Sequence, residues 1–246
     1  MNNLSVAKIN TAKQKQCETC DLGYLCFPEA GASPDYLKNT VQRDRTYKRG
    51  ETVFRAGETM RSLYGICAGS VKTSTINSDG TSQITGFHFV GDILGMDALN
   101  GKQYLYDAVA LEPVRIREIS YDRLKKLAGE NPDIQESLTR LMSNQLAFDY
   151  QLLMPMVGKK SAAQQLASYI HALAQRFQQR NMPDTEFRLT MSRNDIANYL
   201  GLAKETISRL FSRFEEEGLV TSHAKYISIA DPDKLASLAV LGDPSP

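Results

Sequence analysis

The sequence predicts an α+β protein: an N-terminal cysteine arm, a β-roll (jelly-roll) domain, a long helix and a C-terminal winged helix-turn-helix. Three observations carry this. From Tyr47 to Ser120 short apolar runs alternate with glycine turns, the pattern of a small roll of strands. Asn131-Pro132-Asp133 is a helix start signal, and two apolar rows follow it at helical spacing. Ser192-Arg-Asn-Asp195 opens a second helix that ends at a glycine turn, after which an amphipathic helix and a hairpin follow.

A length of 246 residues allows one large domain or two modest ones, and 42% apolar residues suffice for packed cores. Four segments are expected: an arm over 1–30, a roll over 31–128, a dimerisation helix over 129–158 and the winged helix-turn-helix over 159–246. The formal net charge is only +1, so a nucleic-acid surface must come from local placement of Arg and Lys. No apolar run reaches membrane-spanning length, and the N-terminus is polar without a signal-peptide core. These features predict a cytoplasmic protein with reduced thiols and no membrane partner.

The arm carries Cys17, Cys20 and Cys26, and the sequence has one more cysteine, Cys67. Three thiolates within ten residues suit a metal or iron–sulfur site, and four sulfurs serve zinc and iron–sulfur equally well. In the roll, strands are expected at Gly50-Glu-Thr-Val-Phe, Leu63-Tyr-Gly-Ile-Cys, Val71-Lys-Thr-Ser-Thr-Ile and Gln83-Ile-Thr-Gly-Phe-His. A hairpin turn at Ser78-Asp79-Gly80 joins the last two.

Along the long helix one row is Ile134, Leu138, Leu141, Gln145, Phe148 and Leu152. The other is Met142, Leu146, Asp149, Leu153 and Met156. One row can pack on the roll and the other on a second subunit; a single broad buried face is the alternative. Leu138, Leu141, Met142, Leu146, Asp149 and Leu153 are the candidate dimerisation residues. Pro155 and Gly158 are expected to stop or kink the helix.

A further amphipathic helix is expected over 161–179 and a strand at Phe187-Arg-Leu-Thr. Next come a short helix over 194–200, a turn at Gly201-Leu-Ala, a second helix over about 204–217 and a hairpin wing. In that second helix Ile207, Leu210, Phe211 and Phe214 share an inward face. Lys204, Glu205, Ser208, Arg209 and Ser212 share the other. Arg matches the O6 and N7 atoms of guanine, Glu accepts from cytosine N4, and Ser serves base or phosphate. Over 201–214 three cations (Lys204, Arg209, Arg213) face one anion (Glu205), which favours DNA. A solvated charged face on a structural helix is the bland alternative.

The segment 196–210 resembles the helix-turn-helix of the CRP/FNR family. Ser62-Leu-Tyr-Gly-Ile, Gln83-Ile-Thr-Gly-Phe-His, Phe187-Arg-Leu-Thr-Met, Asn198-Tyr-Leu-Gly-Leu, Glu205-Thr-Ile-Ser-Arg209 and the Cys-x2-Cys-x5-Cys arm extend the likeness to the oxygen-sensing FNR type over nearly the whole chain. The resemblance implies a [4Fe–4S] cluster, a homodimer when the cluster is bound, and a two-fold double-stranded DNA site of TTGAT–ATCAA type. It assigns base reading to Glu205, Ser208 and Arg209. It implies contact between a roll loop and RNA polymerase, for which Ser78-Asp-Gly-Thr-Ser82 is the candidate. Lys204 replaces a small apolar residue of that type, and a phosphate contact or an altered outer-base preference would follow. The family's nucleotide-binding members need an Arg-Ser pair where this chain has Lys102-Gln-Tyr-Leu-Tyr106, so no cyclic nucleotide is expected.

The resemblance also exposes a departure. The family's fourth cluster cysteine lies on the strand before the long helix, where this chain has Arg117. Cys67 stands where Arg is common. If the two strands are neighbours, the exchange moves the thiolate only a few ångströms. Cys67 is then the fourth ligand; otherwise it is a small buried filler. Asp149 interrupts an apolar row, as an acidic residue does in the FNR type. Two such carboxylates about 6 Å apart across a helix pair repel by about 3 kcal/mol at an effective dielectric of about 20, which opposes dimerisation. No enzyme is expected: the three histidines, His88, His171 and His223, are scattered, and only His88 falls in the roll, as a structural side chain.

Overall fold

The computed structural model describes residues 41–153, 160–180 and 182–241. Cys17, Cys20, Cys26, Pro155, Met156 and Gly158 lie outside the described residues, as does the side chain of Leu153. Two compact units are present, Met1–Ser143 and Asn144–Pro246.

Among its described residues the first unit holds eight strands in two four-stranded sheets. They are β1 (Val41–Tyr47), β2 (Thr52–Phe54), β3 (Ser62–Ala68), β4 (Val71–Ile76), β5 (Ser82–His88), β6 (Ile93–Leu94), β7 (Asp107–Ala110) and β8 (Val114–Ser120). One sheet has the order β1-β8-β3-β6 and the other β2-β7-β4-β5. A short helix, α1 (Ala98–Gly101), precedes β7, and α2 (Tyr121–Glu130) and α3 (Pro132–Leu153) follow β8. Sequence reading missed β1 and α2. β1 is a polar edge strand with little apolar alternation, and α2 has only Leu124 fully buried.

Glycine is required where β3 turns into β4. Gly69 has φ +82°, and a Cβ there would lie 2.6 Å from the Pro113 carbonyl oxygen and 2.9 Å from the Val114 Cα. The core between the sheets includes Phe54, Ile66, Leu94, Tyr104, Val114 and Ile116. Ile134 and Leu141 of α3 join this core, and Leu138 packs against it. Of the candidate dimerisation residues, Leu141 is thus buried in the roll's core, and Leu138 packs against that core while staying half-buried.

The second unit contains the rest of α3, α4 (Ala162–Gln179), β9 (Glu186–Arg188), α5 (Arg193–Leu200), α6 (Lys204–Glu216), β10 (Val220–His223), β11 (Tyr226–Ile229) and α7 (Pro232–Leu241). Capping boxes start α4 and α5, at Ser161 with Gln164 and at Ser192 with Asp195. Gly201, at φ +67°, ends α5 and makes the turn into α6. The wing is a three-stranded sheet of order β10-β11-β9. The terminal α7 went unread in the sequence; it packs on α4 through contacts that include Lys160 Nζ and Ser168 Oγ donating to the Ala239 carbonyl oxygen, at 2.9 and 3.1 Å.

Candidate nucleic-acid interface and thiol site

α6 separates its faces as its spacing requires. Ile207, Phe211 and Phe214 are buried, while Lys204, Glu205, Ser208, Arg209 and Ser212 are exposed. Leu210, expected inside, is only half-buried. Ala203 precedes the helix and offers no side-chain cap, so the first-turn N–H groups beside Lys204 are left for an outside acceptor such as a phosphate. Among the described residues the Lys204, Glu205 and Arg209 side chains make no ion pair. Arg213 differs: its Nε lies 2.6 Å from Glu217 Oε1. Of the three cations counted over 201–214, Lys204 and Arg209 therefore remain for a ligand. Arg193, at the start of α5, stacks 3.2 Å over the Phe211 ring and reaches Ser222 of the wing at 3.5 Å. First helix, reading helix and wing are thus tied together.

The roll shows where Cys67 and Arg117 stand. β3 and β8 are antiparallel neighbours, with Gly65 opposite Arg117 and Ile66 opposite Ile116. A bulge follows, and the next pair is Ala68 with Arg115, so Cys67 is the inserted residue. Ile66 and Ile116 point into the core; Arg117, Arg115 and the bulged Cys67 take the opposite face. Cys67 is therefore diagonal to Arg117, a separation of about 7–8 Å. That exceeds the shift expected from strand spacing alone, because the two residues are offset along the strands as well as across them. Cys67 is a thiol, half-buried, with Sγ 3.8 Å from the Gly65 carbonyl oxygen.

Arg117 is held by β1. Its Nε and Nη2 donate to the two carboxylate oxygens of Asp44, at 2.9 and 3.3 Å, and Arg115 Nη1 lies 3.8 Å from the same carboxylate. Arg115 and Arg117 thus share the Asp44 carboxylate on the face that carries Cys67. Sequence reading missed Asp44, which lies on the unread strand.

Inside the roll, aromatic rings occupy the centre. Phe54 stacks on Tyr104 at 4.1 Å and on Tyr64 at 5.2 Å, and Tyr106 closes in at 5.7 Å. Tyr104 Oη donates to the Ser62 carbonyl oxygen at 2.7 Å, and the Gly95 N–H donates to Tyr106 Oη at 3.2 Å. Burial and the Tyr104 contact push the Tyr64 phenol far up, so it stays neutral. His88 is in the roll, its Nε2 3.1 Å from Thr73 Oγ1 and its Nδ1 3.9 Å from buried Asp92.

On α3, Met142 and Leu146 are 49% and 67% exposed, and Asp149 is exposed and accepts from Gln145 Nε2 at 2.8 Å. The row Met142–Leu146–Asp149 is presented outward. Phe148, from the other row, lies under the guanidinium of Arg176, 3.6 Å from its ring centroid. Sequence reading missed Arg176; a charge in the apolar stripe Tyr169–Leu173–Phe177 was the available signal.

The Ser78–Ser82 hairpin is exposed, with Asp79 accepting from Thr81 N–H at 2.9 Å and Thr81 Oγ1 at 2.6 Å. These bonds hold the Asp79 carboxyl below its ordinary range. Ile76 beside it is 73% exposed.

Comparison with known proteins agrees with this layout. The cyclic nucleotide-binding domain family matches residues 44–131, and the Crp-like helix-turn-helix domain family matches residues 164–238. The chain is 41% identical over 225 residues to the Fumarate and nitrate reduction regulatory protein of Escherichia coli (strain K12), covering 91% of this chain and 90% of that one. It is 40% identical over 232 residues to the protein of the same name from Yersinia pestis, covering 94% and 92%. Among solved structures, FixK2 from Bradyrhizobium japonicum superposes with a TM-score of 0.71 at 27% identity, over 80% of this chain and 96% of that one. A CooA mutant from Carboxydothermus hydrogenoformans gives 0.67 at 16% identity, over 86% and 92%, a likeness of fold alone. No helix among the described residues is long and apolar enough to cross a membrane.

Proposed function

This chain belongs to the CRP/FNR family of transcription regulators, alongside the fumarate and nitrate reduction regulatory proteins, and we propose that it switches genes of anaerobic metabolism in response to oxygen. The reading rests on one observation above the others. The relatives share about 40% identity along both units, and the exposed face of α6 carries Glu205, Ser208 and Arg209, the residues to which the resemblance assigns base reading.

In the proposed mechanism Cys17, Cys20, Cys26 and Cys67 hold a [4Fe–4S] cluster. The donor set fits: three thiolates come from the arm, and Cys67 stands on the sheet face that carries Arg117, at a bulge that re-aims its side chain. Two guanidinium groups, Arg115 and Arg117, lie on the same face as Cys67, beside the Asp44 carboxylate. When bound, the cluster supplies the oxygen-reactive centre. The chain's own residues do the rest. Met142, Leu146 and Leu153 bring two copies of α3 together, against the repulsion of paired Asp149 carboxylates. The dimer presents two α6 helices to a TTGAT–ATCAA-type site, where Arg209 reads guanine, Glu205 and Ser208 read neighbouring bases, and Lys204 holds phosphate. The Ser78–Ser82 hairpin contacts RNA polymerase. Lys102-Gln-Tyr-Leu-Tyr106, in place of the Arg-Ser pair that the resemblance requires for a nucleotide phosphate, supports a signal other than a cyclic nucleotide.

The test uses full-length protein purified without oxygen. Fluorescence anisotropy on a TTGAT–ATCAA duplex is expected to show tight binding that is lost after exposure to air. Binding that air leaves unchanged, or that needs added cyclic nucleotide, would reject the reading.

A further inference from the structure

α4 buries a positive charge. Arg176 is 4% exposed, and its guanidinium carbon lies 3.6 Å from the centroid of the Phe148 ring, which α3 contributes. Tyr169 of α4 and Tyr199 of α5 stand beside it with their rings 5.5 Å apart. Burial pushes both phenols up; the guanidinium partly offsets this at each, and the Asp149 carboxylate drives Tyr199 further up. One cation therefore stands against side chains from three helices: Phe148 from α3, Tyr169 from α4 and Tyr199 from α5. α5 is the first helix of the helix-turn-helix.

The chemistry of this knot differs from an ordinary apolar contact. A leucine-like packing tolerates sliding. A planar guanidinium over a ring face fixes both separation and tilt, and moving a buried charge away from its partners is costly. Phe148 and Asp149 are adjacent on one helix turn, one engaged by α4, the other on the outward row with Met142 and Leu146. The surface expected to meet a second copy and the surface that grips the DNA-reading helices are thus two sides of the same turns of α3.

We propose that the Phe148–Arg176 stack is the joint that fixes each DNA-reading helix pair relative to the dimer axis, and so sets the half-site spacing that the protein accepts. The proposal rests on the two-fold DNA-binding reading above. Arg176 acts here as a positioning residue and touches no DNA.

The experiment compares three duplexes under anaerobic conditions with full-length protein: the full palindrome, a single half-site, and palindromes with one base pair added or removed at the centre. Phe148→Leu removes the ring face but keeps apolar bulk, and Phe148→Tyr keeps the ring. Simultaneous engagement of two half-sites depends on geometry, so Phe148→Leu is expected to lose about tenfold or more on the full palindrome while half-site affinity stays unchanged. It should also bind the altered spacings nearly as well as the natural one, and Phe148→Tyr should behave like the parent. Arg176→Met, where it folds, should repeat the leucine result. Full-site and half-site affinities that fall together, or an undiminished spacing preference in Phe148→Leu, would overturn the proposal. A parent protein that binds half-site and palindrome equally would overturn the two-fold reading itself, and the proposal with it.

Discussion

The reading helix α6 and the long helix α3 are both amphipathic, yet they divide their residues differently. In α6 one apolar face turns inward, with Ile207, Phe211 and Phe214 buried and Leu210 half-buried, and the opposite face is left open for a ligand. In α3 the apolar residues have three destinations: Ile134 and Leu141 enter the roll's core, Met142 and Leu146 face outward, and Phe148 is taken by Arg176. The difference teaches that helical spacing determines which side chains share a face. What covers that face depends on elements distant in sequence.

The sharpest way to break this comparison is to cut equivalent apolar groups from the two helices. Phe211→Ala should lower stability by about 3–5 kcal/mol and Leu141→Ala by about 2–5 kcal/mol, because each empties a filled core position. Leu146→Ala should change the stability of a single chain by only about 0.5 kcal/mol. Thermal unfolding followed by circular dichroism checks all three. A large loss in Leu146→Ala would mean that its row is already covered within one chain.

Base reading comes next in size. Arg209→Ala should lose about 1–3 kcal/mol and relax the choice at the guanine it reads, measured by anisotropy on single-base variants of the site. Uniform weakening across all sequences would make Arg209 a phosphate contact instead.

The outward row of α3 predicts opposite shifts in assembly. Leu146→Glu should leave the anaerobic protein monomeric in sedimentation. Asp149→Ala should produce dimers in air, since removing paired carboxylates relieves up to about 3 kcal/mol before solvent screening. A monomeric Asp149→Ala protein at micromolar concentration would take Asp149 out of the switch. The smallest effect is expected at Lys204. Lys204→Ala should weaken binding to every sequence alike and flatten the salt dependence by about one unit. An unchanged salt slope with altered outer-base preference would make it a base reader.

The fold was legible wherever local signals and tertiary packing agree. β4 over Val71–Ile76, the capping box at Ser192 and the Gly201 turn stand where spacing and turn chemistry put them. β1 and α7 were not legible, because their pairing and packing partners are far away in the chain and their own patterns are weak. At the candidate site the five exposed side chains of α6, Lys204, Glu205, Ser208, Arg209 and Ser212, could be read from periodicity alone. The Cys67–Arg117 relation could not, since it depends on strand register and on a bulge. The Arg176 knot left only an out-of-place charge as its trace.

The measurement that tests the account most directly is the iron and acid-labile sulfide content of Cys67→Ala, purified without oxygen beside the parent and the double variant Cys67→Arg with Arg117→Cys. The account predicts a filled cluster in the parent, near-complete loss in Cys67→Ala, and recovery in the double variant, because both positions open on one sheet face. Full iron and sulfide in Cys67→Ala would contradict it and assign the fourth ligand to another group.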